Sequence, residues 1–424
     1  MSKLKQYLVS LVLLYLFIQG IFPNIERFTL WGEMFVLLTF YLVYNMSLDV
    51  RSEQKQILLL IYLWAFLFPV YGLLMAVIYQ PATFAFIYFL RHLVFFYYCV
   101  FFFFAFKYGD LICLYFKKWR FYLMGFVFWC VLFEGGNAVS FSPFLGFLLI
   151  CVSEFKKKRD KHIFYIIFCL ILVTMFVSSG QGTNKLILLS YFGFVFFQFF
   201  ARFWTKWIPP KVNRIFIIVV VISFGIFFVK YISYFNHMTT QLAALGQNIA
   251  ALELMSEENH TDLGGFWRLV LWSHLYGRFL DFPWGLGLGT PLFSNWLDGF
   301  VMLHLNKPGE NYVQGAHNSF ITLIARMGIP ALVFFMALFY CVLRMSIKSF
   351  RKMNFRPFQT TRGRALSGSF LALISITISC SFNVVLESPL YAGAFWFTLG
   401  LFTRLLGDFA NDKPPEMNSL DDQR

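Results

Sequence analysis

Runs of mainly apolar residues, each about as long as a helix needs to cross a bilayer, follow one another through almost the whole chain. A hydrocarbon core roughly 30 Å thick takes about 20 residues of helix, and the polar backbone inside lipid leaves only helices and closed barrels as spanning structures. The runs fall near residues 7–22, 30–47, 56–79, 82–106, 119–133, 138–152, 162–178, 185–203, 214–235, 330–347, 365–386 and 389–406. They predict an all-α polytopic membrane protein with about 12 transmembrane helices. Composition agrees, with 59% of the residues hydrophobic and 13% charged, against an apolar share of roughly half in soluble domains. The first run follows Met-Ser-Lys-Leu-Lys and is not followed by a small-residue cleavage site, so it reads as a signal anchor.

Orientation follows from where the cations lie, because cytoplasmic loops keep an excess of Lys and Arg. With the N-terminus inside, the inner segments hold 27 of the 35 basic residues and the outer ones hold four, Arg27, Arg268, Arg278 and Lys307. Both termini are therefore expected in the cytoplasm. The formal net charge of +14 is mostly this bias, aided by anionic head groups, and does not imply nucleic-acid binding. The seven cysteines, Cys99, Cys113, Cys130, Cys151, Cys169, Cys341 and Cys380, all lie in or beside the runs. No CxxC pair or His/Cys spacing marks a zinc site, and no disulfide is expected.

One connection breaks the uniformity of the loops. Residues 236–329 form an outer segment far longer than a turn, which is where function is expected. The chain thus divides into spans one to nine (1–235), a large, partly helical periplasmic loop before span ten (236–329), spans ten to twelve (330–407) and a polar tail (408–424) of disordered composition. Within the loop, GGFWRLVLWSHLYGRFLDFP reads as a helix that starts after Gly264-Gly265 and stops at Pro283. PWGLGLGTP follows as a glycine-rich turn. There is no internal repeat.

The end of the loop, GAHNSFITLIARMGIP, sets a histidine, an asparagine and an arginine at the entrance to an apolar run. Gly328 suits a helix end and Pro330 the first turn of the next, so residues 318–327 are predicted as a short separate helix ahead of span ten. At 100° per residue Asn318, Thr322 and Arg326 share one stripe with Ser319 beside it, while Phe320, Ile321, Leu323, Ile324 and Met327 cover the other side. An amphipathic helix at the outer membrane surface is expected. Asn318 or Ser319 caps it, leaving His317 at the positive end of the helix dipole, where a neutral imidazole is favoured as a base. The plainer alternative is a histidine that merely faces lipid head groups.

The arginine in GGFWRLVLW, the spacing of Pro283, Gly285, Gly287 and Gly289, and the H-N-S-F-I…R-x-G pattern together resemble the O-antigen ligase and O-antigen polymerase superfamily. The likeness is specific over about residues 264–345 and topological elsewhere. It implies a twelve-span, metal-independent glycosyltransferase of the bacterial inner membrane that works on the periplasmic face without a cofactor. Such enzymes move a glycan from an undecaprenyl diphosphate carrier to an acceptor hydroxyl on a saccharide or lipid A-core, alongside other polysaccharide assembly proteins. The motif histidine, here His317, is the implied base, and Arg268 matches a diphosphate-binding arginine. A further family arginine has no counterpart in SSGQGTNKLIL, where Lys185 is the nearby cation.

The chemistry of the residues is consistent with that implication. A lipid diphosphate gains charge as the glycosidic bond breaks, so cations placed there favour the transition state. Arginine suits the task through its planar fork, and Arg268 near a helix start has backbone N–H groups beside it. Arg278, ten residues on and about 80° around the helix, is either a second diphosphate contact or a snorkelling residue. Arg326 and Asn318 complete the candidate substrate-binding set, and the glycine-rich turn is either a phosphate cradle or a plain reversal. Glu33, Glu134, Lys185, Lys230 and Glu387 fall at outer ends of spans, whereas Arg91 lies roughly 13 Å into span four and needs a partner or a wet cavity. Arg91-His92 reads as a structural pair or as a contact near the diphosphate. A transporter or flippase without transferase activity is the alternative, although such proteins usually show related halves.

Overall fold

The computed structural model describes residues 3–21, 28–44, 54–133, 138–151, 168, 186–194, 196, 272, 274–292, 318–353, 360–382, 385–386 and 389–410. The expected span at 214–235, all of that at 162–178 but residue 168, and about half of that at 185–203 lie outside the described residues, as do residues 197–271 and 293–317. Among the described residues the regular structure is helical and no strand occurs. Lys55–Tyr79, Phe86–Lys118, Ser319–Lys352 and Arg362–Phe382 are each long and apolar enough to cross a membrane.

Helices α1 (Lys3–Ile21) and α2 (Phe28–Tyr44) run where apolar runs were expected, and Tyr15 of the first stacks on Phe35 of the second at 4.1 Å. The next span has three parts, α3 (Lys55–Tyr62), one π turn (Leu63–Leu67) and α4 (Phe68–Tyr79). Pro69, in the first turn of α4, has no N–H to return to the preceding turn, and the wider turn absorbs the missing bond. That bulge turns Trp64 fully inward. Its Nε1 donates to the Phe95 carbonyl at 3.0 Å, and its ring lies 4.5 Å from Phe334 and 5.0 Å from Phe96.

Helices α5 (Phe86–His92), α6 (Val94–Tyr97) and α7 (Val100–Lys118) make one long rod tightened at its two joints. There Phe96 N–H donates to Leu93 and Phe102 N–H to Cys99, both at 2.9 Å, in three-residue turns. The rod runs about a dozen residues past the expected inner end near 106. Asp110, which lowered the apolar signal there, pairs with Arg404 at 2.8 Å, so the helix continues through a charged stretch.

The remaining labelled helices are α8 (Arg120–Phe133), α9 (Ala138–Cys151), α10 (Ser319–Lys352), α11 (Thr361–Phe382) and α12 (Pro389–Ala410). Phe101 to Phe106 are all buried because α7 is packed on several sides by α12, α2 and α9. α9 and α11 approach through Gly146 and Gly368, where a Cβ on the first would sit 2.5 Å from the carbonyl oxygen of the second. In lipid, where apolar side chains gain little from meeting each other, such small residues let backbones pack closely.

Candidate active site

The motif helix begins as a cap. Asn318 is extended (φ −154, ψ 106), and its Oδ1 accepts from Phe320 and Ile321 N–H at 3.0 Å each, satisfying two of the donors that a helix start leaves open. Of the two candidate caps, Asn318 takes the role. Ser319 does something else: its Oγ accepts from the N–H of Val385 at 2.8 Å and of Leu386 at 3.0 Å, in the connection between α11 and α12.

The predicted break is present. Gly328 takes φ 64 and ψ −151, and the chain resumes as helix through Pro330. The polar stripe, however, does not face outward as a surface helix would require. Ser319, Thr322 and Arg326 are each 1% exposed or less, and Asn318 is buried too. The correction has a physical cause, because a neighbouring segment supplies partners that the single helix could not reveal.

That segment is the glycine-rich turn. Breaking the helix at Gly328 leaves the carbonyls of Ala325 and Arg326 without helical donors. Leu286 N–H donates to Ala325 O at 3.1 Å and Gly287 N–H to Arg326 O at 2.8 Å. Arg326 Nη1 in turn donates to Thr290 O at 3.0 Å. Ile329 N–H, beyond the break, donates to Pro283 O at 2.8 Å.

On its other side the turn meets the spans. Leu288 N–H donates to Gly72 O at 2.9 Å, Gly289 N–H to Nδ1 of buried His92 at 2.9 Å, and Tyr71 Oη to Trp284 O at 2.6 Å. Ala85 N–H donates to Gly289 O at 2.8 Å. Gly285 N–H is used by Phe282 O at 2.8 Å. Every N–H from Gly285 to Gly289 is therefore spent within the protein, and the phosphate-cradle reading fails. The turn is neither a cradle nor a simple reversal but a strut wedged between α4, α5 and the bend of α10.

Glycine is required here by sterics. Gly285, Gly287 and Gly289 have φ of 98, 85 and 78. A Cβ on Gly287 would press on the backbone nitrogen of Ala76 and lie 2.5 Å from its Cα. Gly72 is about 10 Å along its helix from Tyr79, so the strut lies beside the helix body rather than above its end.

Residues 274–281 are helical and lie against this assembly, with Leu275 buried among Leu286, Leu292 and Ala325. One turn apart on it stand His274 and Arg278. Burial, reinforced by the Arg278 charge, lowers the His274 pKa from 6.5 to about 4. Burial likewise lowers that of Arg278, against the opposing pull of Asp281. The Arg278 guanidinium lies 5.5 Å from the centre of the Phe282 ring, a stacking position suited to a half-buried cation.

The structure thus gathers Arg326 and the Arg278 segment around one strut, with Asn318 at the other end of the motif helix. Arg91 sits on the short α5 with an exposed side chain, and it is His92 that reaches the strut. His317, Arg268 and Lys185 lie outside the described residues. Sequence reasoning missed the roles of His92, Thr290 and Ser319. Only the three closely spaced glycines hinted that another backbone would come near.

Residues 166–336 match the family model described as O-antigen ligase. The match takes in the 274–281 helix, the strut and the motif helix, and it ends six residues past Pro330. No curated protein matches the chain.

Proposed function

We infer, from the match of residues 166–336 to the O-antigen ligase family model, that this protein is a glycosyltransferase of the bacterial inner membrane in the O-antigen ligase and polymerase superfamily. It moves a glycan from an undecaprenyl diphosphate carrier to a saccharide or lipid A-core hydroxyl, as ligase or as repeat-unit polymerase. Twelve spans hold both termini in the cytoplasm and turn the large loop to the periplasm.

In this reading His317 accepts the proton of the acceptor hydroxyl as its oxygen attacks the anomeric carbon. The bond from that carbon to the diphosphate oxygen breaks, and the diphosphate leaves on its lipid. Arg268 and Lys185 meet the charge that grows on the leaving group, and Arg278 is a further cation of the same loop sequence. Cationic side chains do here what a metal ion does in other transferases, so chelators leave the rate unchanged.

The observation that carries the reading is the fixed start of the motif helix. Asn318, the residue after His317, is locked by its two cap bonds, and the helix behind it is held by the strut. Such preorganisation is what a general base needs to keep its geometry. Arg326 and Asn318, first grouped with the substrate contacts, serve in this reading to hold the site in shape.

The test is in-vitro transfer from an undecaprenyl diphosphate glycan with quantified protein. His317→Gln should lose about 10²- to 10⁴-fold, the usual range for a general base. Arg268→Ala should nearly abolish transfer and Arg268→Lys restore it in part, because the fork is lost. A His317→Gln enzyme that keeps more than about a third of the rate would remove the base from this scheme.

A further inference from the structure

The connection between α11 and α12 lies far in sequence from the glycine-rich strut, yet it too is tied to the motif helix. Val385 and Leu386 are buried, at 0% and 1% exposure, and both donate their backbone N–H groups to one atom, Oγ of Ser319. Ser319 is itself fully buried and is the first residue of α10, directly after the Asn318 cap. Two buried N–H donors that lost this oxygen would be left without their acceptor, a loss that cores resist strongly. The bonds therefore hold two parts of the chain, 66 and 67 residues apart, in one register at the point where the motif helix starts.

A hydroxyl that serves only its own helix bonds to a carbonyl one turn back, as those of Ser346 and Thr403 do here at four residues. Ser319 instead accepts from another element. The strut fixes the far end of the same short helix at Ala325, Arg326 and Gly328, so the Ser319 clasp is what fixes the near end. We propose that Ser319 is a positioning residue of the transfer reaction, setting the start of the motif helix, which directly follows His317 in sequence, against the α11–α12 connection. It rests on the reading of His317 as base, and it acts through that residue rather than on the substrate.

Four purified proteins, wild type, Ser319→Ala, Ser319→Cys and His317→Gln, are compared in the same transfer assay from pH 5.5 to 8, each normalised to monodisperse protein and paired with a melting curve. Alanine removes the oxygen, and cysteine keeps the volume but is a poor acceptor. Both Ser319 variants should lose about tenfold or more in kcat, since small misplacements at a reacting centre are costly, while KM stays within about twofold. The acidic limb of the kcat profile should also move. If Ser319→Ala and Ser319→Cys keep kcat within twofold, or if Ser319→Cys alone behaves as wild type, the oxygen does not position the base. Losses in kcat with an unmoved acidic limb, or losses that follow the melting temperature alone, likewise overturn the proposal. An active His317→Gln refutes the base assignment itself, an outcome separable from any result at Ser319.

Discussion

The bond from Gly289 N–H to His92 Nδ1 offers a direct test of the strut, because its two partners can be separated by side-chain length. His92→Ala removes the acceptor from a buried N–H at 2.9 Å, and a buried donor left unsatisfied costs about 1–3 kcal/mol. It also deletes a ring stacked on Phe95 at 5.6 Å and 11°. His92→Asn loses the same ring but keeps an acceptor oxygen at the δ position. His92→Gln carries its amide one bond further, at the ε position. The difference between alanine and asparagine therefore isolates the hydrogen bond from the packing, and it should be about 1–3 kcal/mol with asparagine the more stable. Equilibrium unfolding in mixed micelles, followed by circular dichroism, measures it. If alanine and asparagine unfold together within about 0.5 kcal/mol, or if glutamine protects as well as asparagine, the bond to the strut is not what His92 provides.

Gly287→Ala combines a left-handed backbone, which costs a non-glycine residue about 1–2 kcal/mol, with a Cβ pressed on Ala76 of α4. It should lower the melting temperature and transfer together, and wild-type behaviour in both would mean that the close approach is not real. His274 has its pKa lowered to about 4 by burial and by Arg278, so the unfolded chain binds the extra proton first as pH falls. His274 thus contributes stability that is full above about 6.5 and is lost between there and about 4. Melting curves from pH 7 to 4.5 should flatten in His274→Gln, and an unchanged slope would assign the acid sensitivity elsewhere.

The helical class, the positions of α1, α2, α9 and α12, and the break at Gly328 were all readable from the sequence. Each depends on local rules: apolar length against bilayer thickness, and the backbone limits of glycine and proline. The same local rules marked Asn318 as a cap candidate. Periodicity also put Asn318, Thr322 and Arg326 on one stripe, but a stripe specifies only which residues share a side, not what that side meets. Tertiary structure decided that. The strut of residues 283–290 comes from far along the chain and brings acceptors for Arg326 and donors for the carbonyls that the break exposes, so a pattern typical of a membrane surface is instead buried. The clasp of Ser319 on Val385 and Leu386 and the reach of His92 to Gly289 were hidden for the same reason. Hydrogen bonds between distant backbones leave no periodic trace in sequence, because any residue can supply an N–H or a carbonyl, and only the fold selects which ones meet.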